Sequence, residues 1–431
     1  MLLRWIILLL AVSTLAGCAL FPGNQGGSML SSSRSRITAP PANPADMLQV
    51  VQANTQFGLD LYQQLRAQSE DNLFFSPYSI SLALAMTEAG ARGETREEMD
   101  RVLGFDLPQG RLHPAMNALD LAVRAAPPTE MDEEEREKAF QLSIANSVWG
   151  QEGYPFEQAY LDLLAEQYGA GLRLADYAND PEAAREAINR WVSEETREKI
   201  QDLIPERAIT TATRLVLANA IYFKAGWRHP FDPESSRPAE FTRADGSTSD
   251  VWMMADSGYY SYASGDGWQA LALPYVGGKA SMVVLLPDSG RLVEFEEQLD
   301  ADVLGSILGQ MEMQDAIVYF PRFRFDSSFE LAKTLEQMGM VLAFDPDQAD
   351  FNGMAATDEL YISRVVHKAT VDVDEAGTEA AAATAVIAAA GAAPDEQEPV
   401  VFRADRPFLF LIREDSTGTI LFLGRVMQPE E

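Results

Sequence analysis

Of 431 residues, one is cysteine and three are histidine. A lone thiol, Cys18, forms no intrachain disulfide. His113, His229 and His367 are scattered, and none lies in a recognisable nucleophile motif. A hydrolase of the Ser-His-Asp kind therefore has no base in place, and no metal-ligand spacing exists. No glycine-rich phosphate loop and no internal repeat is visible. We expect no enzyme, no metal and no cofactor. Basic residues are also short: 33 Lys and Arg face 65 Asp and Glu, a net charge of −32. That balance disfavours nucleic acid and anionic lipid headgroups, both of which bind basic patches. The acidity steers cationic partners or serves solubility, including in a salty medium.

The one apolar run near the start, Trp5 to Ala11 after Arg4, is too short to span a membrane as a mature helix. It ends in Leu15-Ala16-Gly17-Cys18, which resembles a bacterial lipobox. Residues 1–17 then read as a lipoprotein signal peptide, with Cys18 lipidated and the mature chain held on a membrane. By resemblance to bacterial sorting rules, Ala19 in place of Asp favours the outer membrane, in the cell envelope or facing the extracellular side. Residues 18–45 are rich in Gly, Ser, Pro and Asn and read as a flexible tether reaching roughly 30 Å. Residues 46–431 read as one large α+β domain, with Ala126–Arg136 a surface insertion.

Apolar spacing predicts helices over Met47–Leu65, from Pro77 (with Ser76 as N-cap) to Gly90, and over 94–103, 111–125, Phe156–Tyr168, Pro181–Ile200, Val293–Met311 and Ser327–Met338. Strands are expected at Leu73–Phe75, Leu142–Trp149, Arg214–Lys224, Phe241–Met254, Ala270–Tyr275, Ala280–Leu286, Ile317–Phe325, Leu360–Val373, Phe408–Ile412 and Ile420–Val426. Arg214–Lys224 is apolar on both faces, as in the middle of a covered sheet. His367 shares parity with Val365, Ala369, Val371 and Val373, and Asn219 with Leu217, Ile221 and Phe223. Each is a polar group on a buried row and needs partners, which Ser76 and Ser79 can supply.

After Val373 comes Asp374-Glu-Ala-Gly-Thr-Glu-Ala-Ala-Ala-Ala-Thr-Ala385. An alanine run favours helix or a low-complexity linker by composition. Its position after a strand, with Pro394 and Pro399 beyond, suits a loop of small side chains able to enter an existing sheet.

Five segments resemble the serpin family, in the family's order and across nearly the whole mature chain. They are Asn72-Leu-Phe-Phe-Ser-Pro-Tyr-Ser-Ile80, Asn219-Ala-Ile-Tyr-Phe-Lys-Ala-Gly-Trp227, His367-Lys-Ala369, the stretch from Asp374, and Arg406-Pro-Phe-Leu-Phe-Leu-Ile412 with Phe422-Leu-Gly-Arg425. The resemblance implies a serpin fold of about nine helices and three β-sheets with a mobile reactive-centre loop at about 375–400. It makes Ser76, Ser79, Asn219 and His367 the shutter beneath an opening sheet, and Trp227 part of the breach where insertion starts. The hinge is then Glu375, Gly377, Thr378, Glu379, Ala380, Ala381, Ala382, Ala383 and Thr384. Ala376 departs from the Glu that inhibitors often carry there.

The implied function is suicide-substrate inhibition. A serine protease, or a cysteine protease, acylates on the loop and is dragged away as the loop inserts. Counting fourteen residues on from Gly377 puts the reactive bond at Gly391-Ala392, with Ala390 and Ala393 as alternatives; counting back from Pro407 lands near Glu396. The small residues of Val386–Ala393 suit elastase-like or subtilisin-like proteases and not trypsin-like ones. The other reading is a non-inhibitory, membrane-tethered binding protein. A monomer is expected.

Overall fold

Strand Leu215–Gly226 is buried at every position except Lys224, and its two faces differ in size. Leu217, Ile221 and Phe223 join the main core, which fills the space toward a second sheet. Val216, Ala218 and Ala220 meet a smaller cluster of Trp149, Tyr177, Ile188 and Val192, where helix Pro181–Glu195 lies against the sheet. Small residues on that face let a helix approach closely, and both faces leave water. The computed structural model describes residues 27–125, 131–379 and 398–430.

The strand belongs to a seven-stranded sheet. From one edge the order is Met29–Leu30, Leu172–Ala175, Gln141–Gln151, Leu215–Gly226, Ile362–Val373 and Phe323–Glu330, with Gly377–Thr378 entering between the two strands before the last. A nine-stranded sheet packs across the core. Helix Pro77–Glu88, buried at all twelve residues, lies between the sheets against Gln141–Gln151, Leu215–Gly226 and Ile420–Val426. Ser76 caps it by accepting from the Ser79 N–H, and Pro77 takes the first helical position. Ten α-helices occur among the described residues.

Several boundaries depart from the expectation. Among the described residues two sheets stand where three were expected, because strand Thr248–Gly265 is eighteen residues long and pairs with Arg237–Thr242, Glu312–Pro321 and Trp268–Pro274 along its length. Phe241–Met254 is thus a hairpin turning at Asp245-Gly246. Ser327–Glu330 is strand and not helix: its alternation continues that of Phe323 and Phe325, and it pairs with Val366–Ala369, leaving a helix only over Ala332–Gln337. Val293–Met311 is two helices, the second capped by Asp300. Helix Pro181–Glu195 stops short of Ile200, since Arg197 and Glu198 adopt left-handed backbone.

The larger correction concerns the tether. From residue 27 onward it is docked. Met29–Leu30 pairs antiparallel with Leu172–Arg173, and the Ile37 N–H donates to the Glu166 carbonyl at 2.9 Å. Arg36 donates to Asn117 at 2.9 Å and forms an ion pair with buried Asp120 at 2.7 Å; Arg34 pairs with Asp162 and Glu166. Helix one then starts at Pro44 with Asn43 as its cap. Backbone pairing and arginine contacts hold this segment, so its lack of an apolar pattern concealed the docking.

Arg36→Ala should lower the free energy of unfolding by about 1–3 kcal/mol, because one charged hydrogen bond to a buried carboxylate is lost while Arg124 and Tyr78 remain on Asp120. Denaturant unfolding of the two proteins measures this. An unchanged midpoint would show that Arg36 anchors nothing.

Candidate functional site

The two central strands, Leu215–Gly226 and Ile362–Val373, run parallel and pair from Leu215 opposite Ile362 to Tyr222 opposite Thr370. Beyond that pair they separate. The chain doubles back after Val373 and fills the top of the gap: Thr378 pairs with both Val373 and Ala225, and Gly377 with Gly226. Gly377 and Thr378, in the stretch expected as a hinge, thus form a two-residue strand inside the sheet. Gly377 is required here by closeness, since a Cβ would lie 2.2 Å from the Ala225 carbonyl oxygen and 2.6 Å from the Gly226 Cα. Ala380, Ala381, Ala382, Ala383, Thr384 and the reactive-bond candidates Ala390, Gly391, Ala392 and Ala393 lie outside the described residues, as does Cys18.

The reversal is held from several sides. The Asp374 carboxylate accepts from the Ala376 N–H at 2.8 Å and the Gly377 N–H at 3.1 Å. Trp227 donates its indole N–H to the Asp374 carbonyl at 2.9 Å and its backbone N–H to that of Ala376 at 2.8 Å. Its ring stacks on Tyr275 with centroids 4.7 Å apart. The Tyr275 and Thr378 hydroxyls share a hydrogen bond of 2.7 Å on the core side of the sheet. Glu375, grouped with the hinge by sequence, is a buried anchor: it accepts from Arg322 Nε at 2.8 Å and from the Ser236 hydroxyl. Burial alone would raise its pKa, but the bonds from Arg322 and Ser236 outweigh it and hold the carboxylate below its ordinary range. Glu379 faces the opposite side from Thr378 and pairs with Lys199.

Lower in the seam lies the polar cluster expected from strand parity. His367 Nε2 accepts from the Ser76 backbone N–H at 3.1 Å, so Nδ1 carries the proton and donates to the Asn219 amide oxygen. The Asn219 amide donates to the Ser79 hydroxyl at 2.8 Å and to Asn146. Ser79 donates to Asn146 at 2.9 Å, and the Ser76 hydroxyl donates to the Leu421 carbonyl at 2.6 Å. Every polar atom of the Asn219 and His367 side chains is used, which buried polar groups require. The network ties both central strands to the capped end of the buried helix and to a third strand. Asn146 was missed by sequence reasoning, although it stands in an apolar row with Leu142, Ile144 and Val148. Arg322, Ser236 and Tyr275 were also missed, and no local pattern marks them.

Nothing here resembles a nucleophile and its base among the described residues. His367 takes the Ser76 backbone N–H and not its hydroxyl, His113 pairs with the Tyr168 phenol at 2.7 Å, and His229 is exposed.

Burial holds His367 and His113 at about 3. The unfolded chain binds these protons below about 6.5 and the folded chain does not, so this contribution to stability is full above pH 6.5 and shrinks down to about 3. Glu88, raised by burial to about 7, acts in the opposite sense between about 7 and its ordinary value. The difference between wild type and His367→Gln isolates this histidine. The advantage of wild type should decline by about 1.4 kcal/mol per pH unit below 6.5 in denaturant titrations. A pH-independent difference would contradict a neutral His367.

Comparison with known proteins agrees with this geometry. A family model described as "Serpin (serine protease inhibitor)" matches residues 52–429. An uncharacterized serpin-like protein of Thermococcus kodakarensis is 39% identical over 382 residues, covering 89% of this chain and 86% of that protein. Human antithrombin-III is 36% identical, covering 90% and 84%. Among solved structures, uncleaved ovalbumin superposes with a TM-score of 0.79 at 30% identity, covering 88% of this chain and all of that one. The thermophilic serpin tengpin in its native state superposes with a TM-score of 0.82 at 26% identity, covering 94% of this chain and all of that one. With a sheet entered by its own hinge above a buried Ser-Asn-His network, and with the family matched from residue 52 to residue 429, the chain belongs to the serpin family.

Proposed function

We propose that this chain inhibits serine proteases with small-residue specificity by trapping the acyl-enzyme, and that it does so from a membrane anchor at Cys18. The observation that carries the first part is the hinge itself. Gly377 and Thr378 already stand between strands that are paired only as far as Tyr222 and Thr370. Strand addition of this kind is the recognised serpin device, in which a cleaved loop completes the sheet and releases stored strain.

The chemistry belongs to the protease. Its serine attacks the loop carbonyl, the peptide bond breaks, and the new N-terminal segment stays esterified to the enzyme. Insertion then pulls the acyl group away from the residues that would hydrolyse it. Displacements of about 1 Å cost roughly 10²-fold in rate, and loss of an oxyanion-hole donor costs about 10²–10³. The inhibitor contributes no catalytic residue. It contributes small side chains that fit between strands: Ala380–Ala383 would enter alternately toward the core and toward the helix-covered face. Thr378 is a suitable first core-side residue, because its hydroxyl finds Tyr275 there.

Small apolar residues at 386–393 fit proteases with shallow specificity pockets. Incubation with an elastase should yield an SDS-stable complex and cleavage within residues 388–393 by mass spectrometry. The loop-cleaved protein should melt far above the intact one. Clean cleavage with no covalent complex, and equal melting of both forms, would favour the non-inhibitory binding role.

The anchor reading rests on the lipobox-like Leu15–Cys18. With the chain docked from Gly27 onward, nine residues from Cys18 to Gly26 separate the lipid from the fold. At about 3.5 Å each they span at most roughly 30 Å, so the body would sit close to the bilayer. Cys18→Ala should move the protein from the membrane fraction to the soluble fraction, and an unchanged distribution would remove the anchor.

A further inference from the structure

Segment 196–202 follows helix Pro181–Glu195 and crosses the seam on the face away from the main core. It touches both central strands and the incoming hinge. Lys199 Nζ sits over the ring of Tyr222, 5.4 Å from its centre, on one strand. Lys368 on the other strand donates to the Gln201 carbonyl at 3.0 Å. Lys199 also forms an ion pair with Glu379. Tyr222 and Thr370 are the last closed pair of the seam, so these contacts sit where further opening must start.

The hinge backbone stops in register with that clamp. Glu379 has φ of 51°, a left-handed conformation that non-glycine residues adopt at a cost. Its N–H still donates to the Asp372 carbonyl at 2.6 Å, so pairing reaches this residue while the chain turns out of the strand direction. Extending the observed register places Glu379 between Lys224 and Asp372, and Ala381 between Tyr222 and Thr370. Entry of Ala381 splits the last closed pair beneath the Lys199 side chain. Arg197, Glu198 and Asp202 are left-handed too, so the crossing segment is itself held in an unfavourable shape.

We propose that Lys199 is a latch: by pairing with Glu379 over Tyr222 it halts the loop at Thr378 and sets the rate at which the rest inserts. This rests on the inhibitory reading and adds a residue that controls its kinetics. Lys199 is a positioning residue, acting through Glu379 and Tyr222 and touching no protease.

Two measurements test it on the full chain. The first needs no protease: the rate at which intact protein, warmed below its melting transition, converts to a heat-resistant form with its loop inserted. The second is the number of inhibitor molecules consumed per elastase trapped. Lys199→Ala and Glu379→Gln should each speed conversion by about two- to fivefold, the range available to a partly exposed ion pair, and should bring the stoichiometry closer to one. Lys199→Arg should behave as wild type. Salt at 1 M, where screening acts over about 3 Å, should speed wild type and leave Lys199→Ala unchanged. Equal conversion rates and stoichiometries in wild type and both pair-breaking variants overturn the latch while leaving the inhibitor reading intact. A lowered melting point with no change in conversion overturns it as well. A wild type that neither traps elastase nor gains heat resistance on loop cleavage overturns both proposals together.

Discussion

The structure depends on a seam between two parallel strands that closes only part of the way. Parallel pairing is slightly weaker per residue than antiparallel pairing, and both flanking neighbours of this pair, Gln141–Gln151 and Phe323–Glu330, are antiparallel to it. Of the pairings these two strands make with their neighbours, the seam is thus the one whose separation loses least. Above Tyr222 and Thr370 the backbone groups of both strands find partners only if a third strand arrives, and Gly377–Thr378 supplies the start of one. Buried backbone groups demand such pairing.

Two sets of side chains act on the seam in opposite senses. The Ser76, Ser79, Asn146, Asn219 and His367 network joins the strands through bonds that are all satisfied while the seam is closed, so opening there leaves several buried polar atoms to find new partners at once. At the top, Trp227, Tyr275, Arg322 and Ser236 hold the reversal at Asp374–Ala376, and Gly377–Thr378 stand in the gap. One set joins the two central strands and the other fixes the reversal that places Gly377–Thr378 between them. A neutral His367 is what lets the first set fit between apolar rows.

Legibility from sequence followed the range of the interaction. Strand Leu215–Gly226 and helix Pro77–Glu88 were visible because their burial is nearly continuous and their caps are local. His367 and Asn219 were visible as polar residues on apolar rows. The docked segment from Met29 to Arg36 was not, because backbone pairing and arginine contacts hold it and neither leaves periodicity in composition. Helix assignments failed at Ser327–Glu330, where cross-strand pairing overrode a local start signal. Glu375 read as one more hinge residue, yet Arg322 and Ser236, distant in sequence, make it an anchor.

The amino-acid sequence by itself determined the composition of the loop, the buried parity of the strands, the absence of a catalytic histidine motif and the family landmarks. All of these are local or periodic properties of the chain. Tertiary structure alone decided that Gly377 and Thr378 stand between the central strands, which groups hold them there, and that Lys199 faces Glu379 across 180 residues. Those depend on where the two central strands part, and that point is set by the packing of both sheets and the segment crossing them, which no stretch of sequence encodes alone.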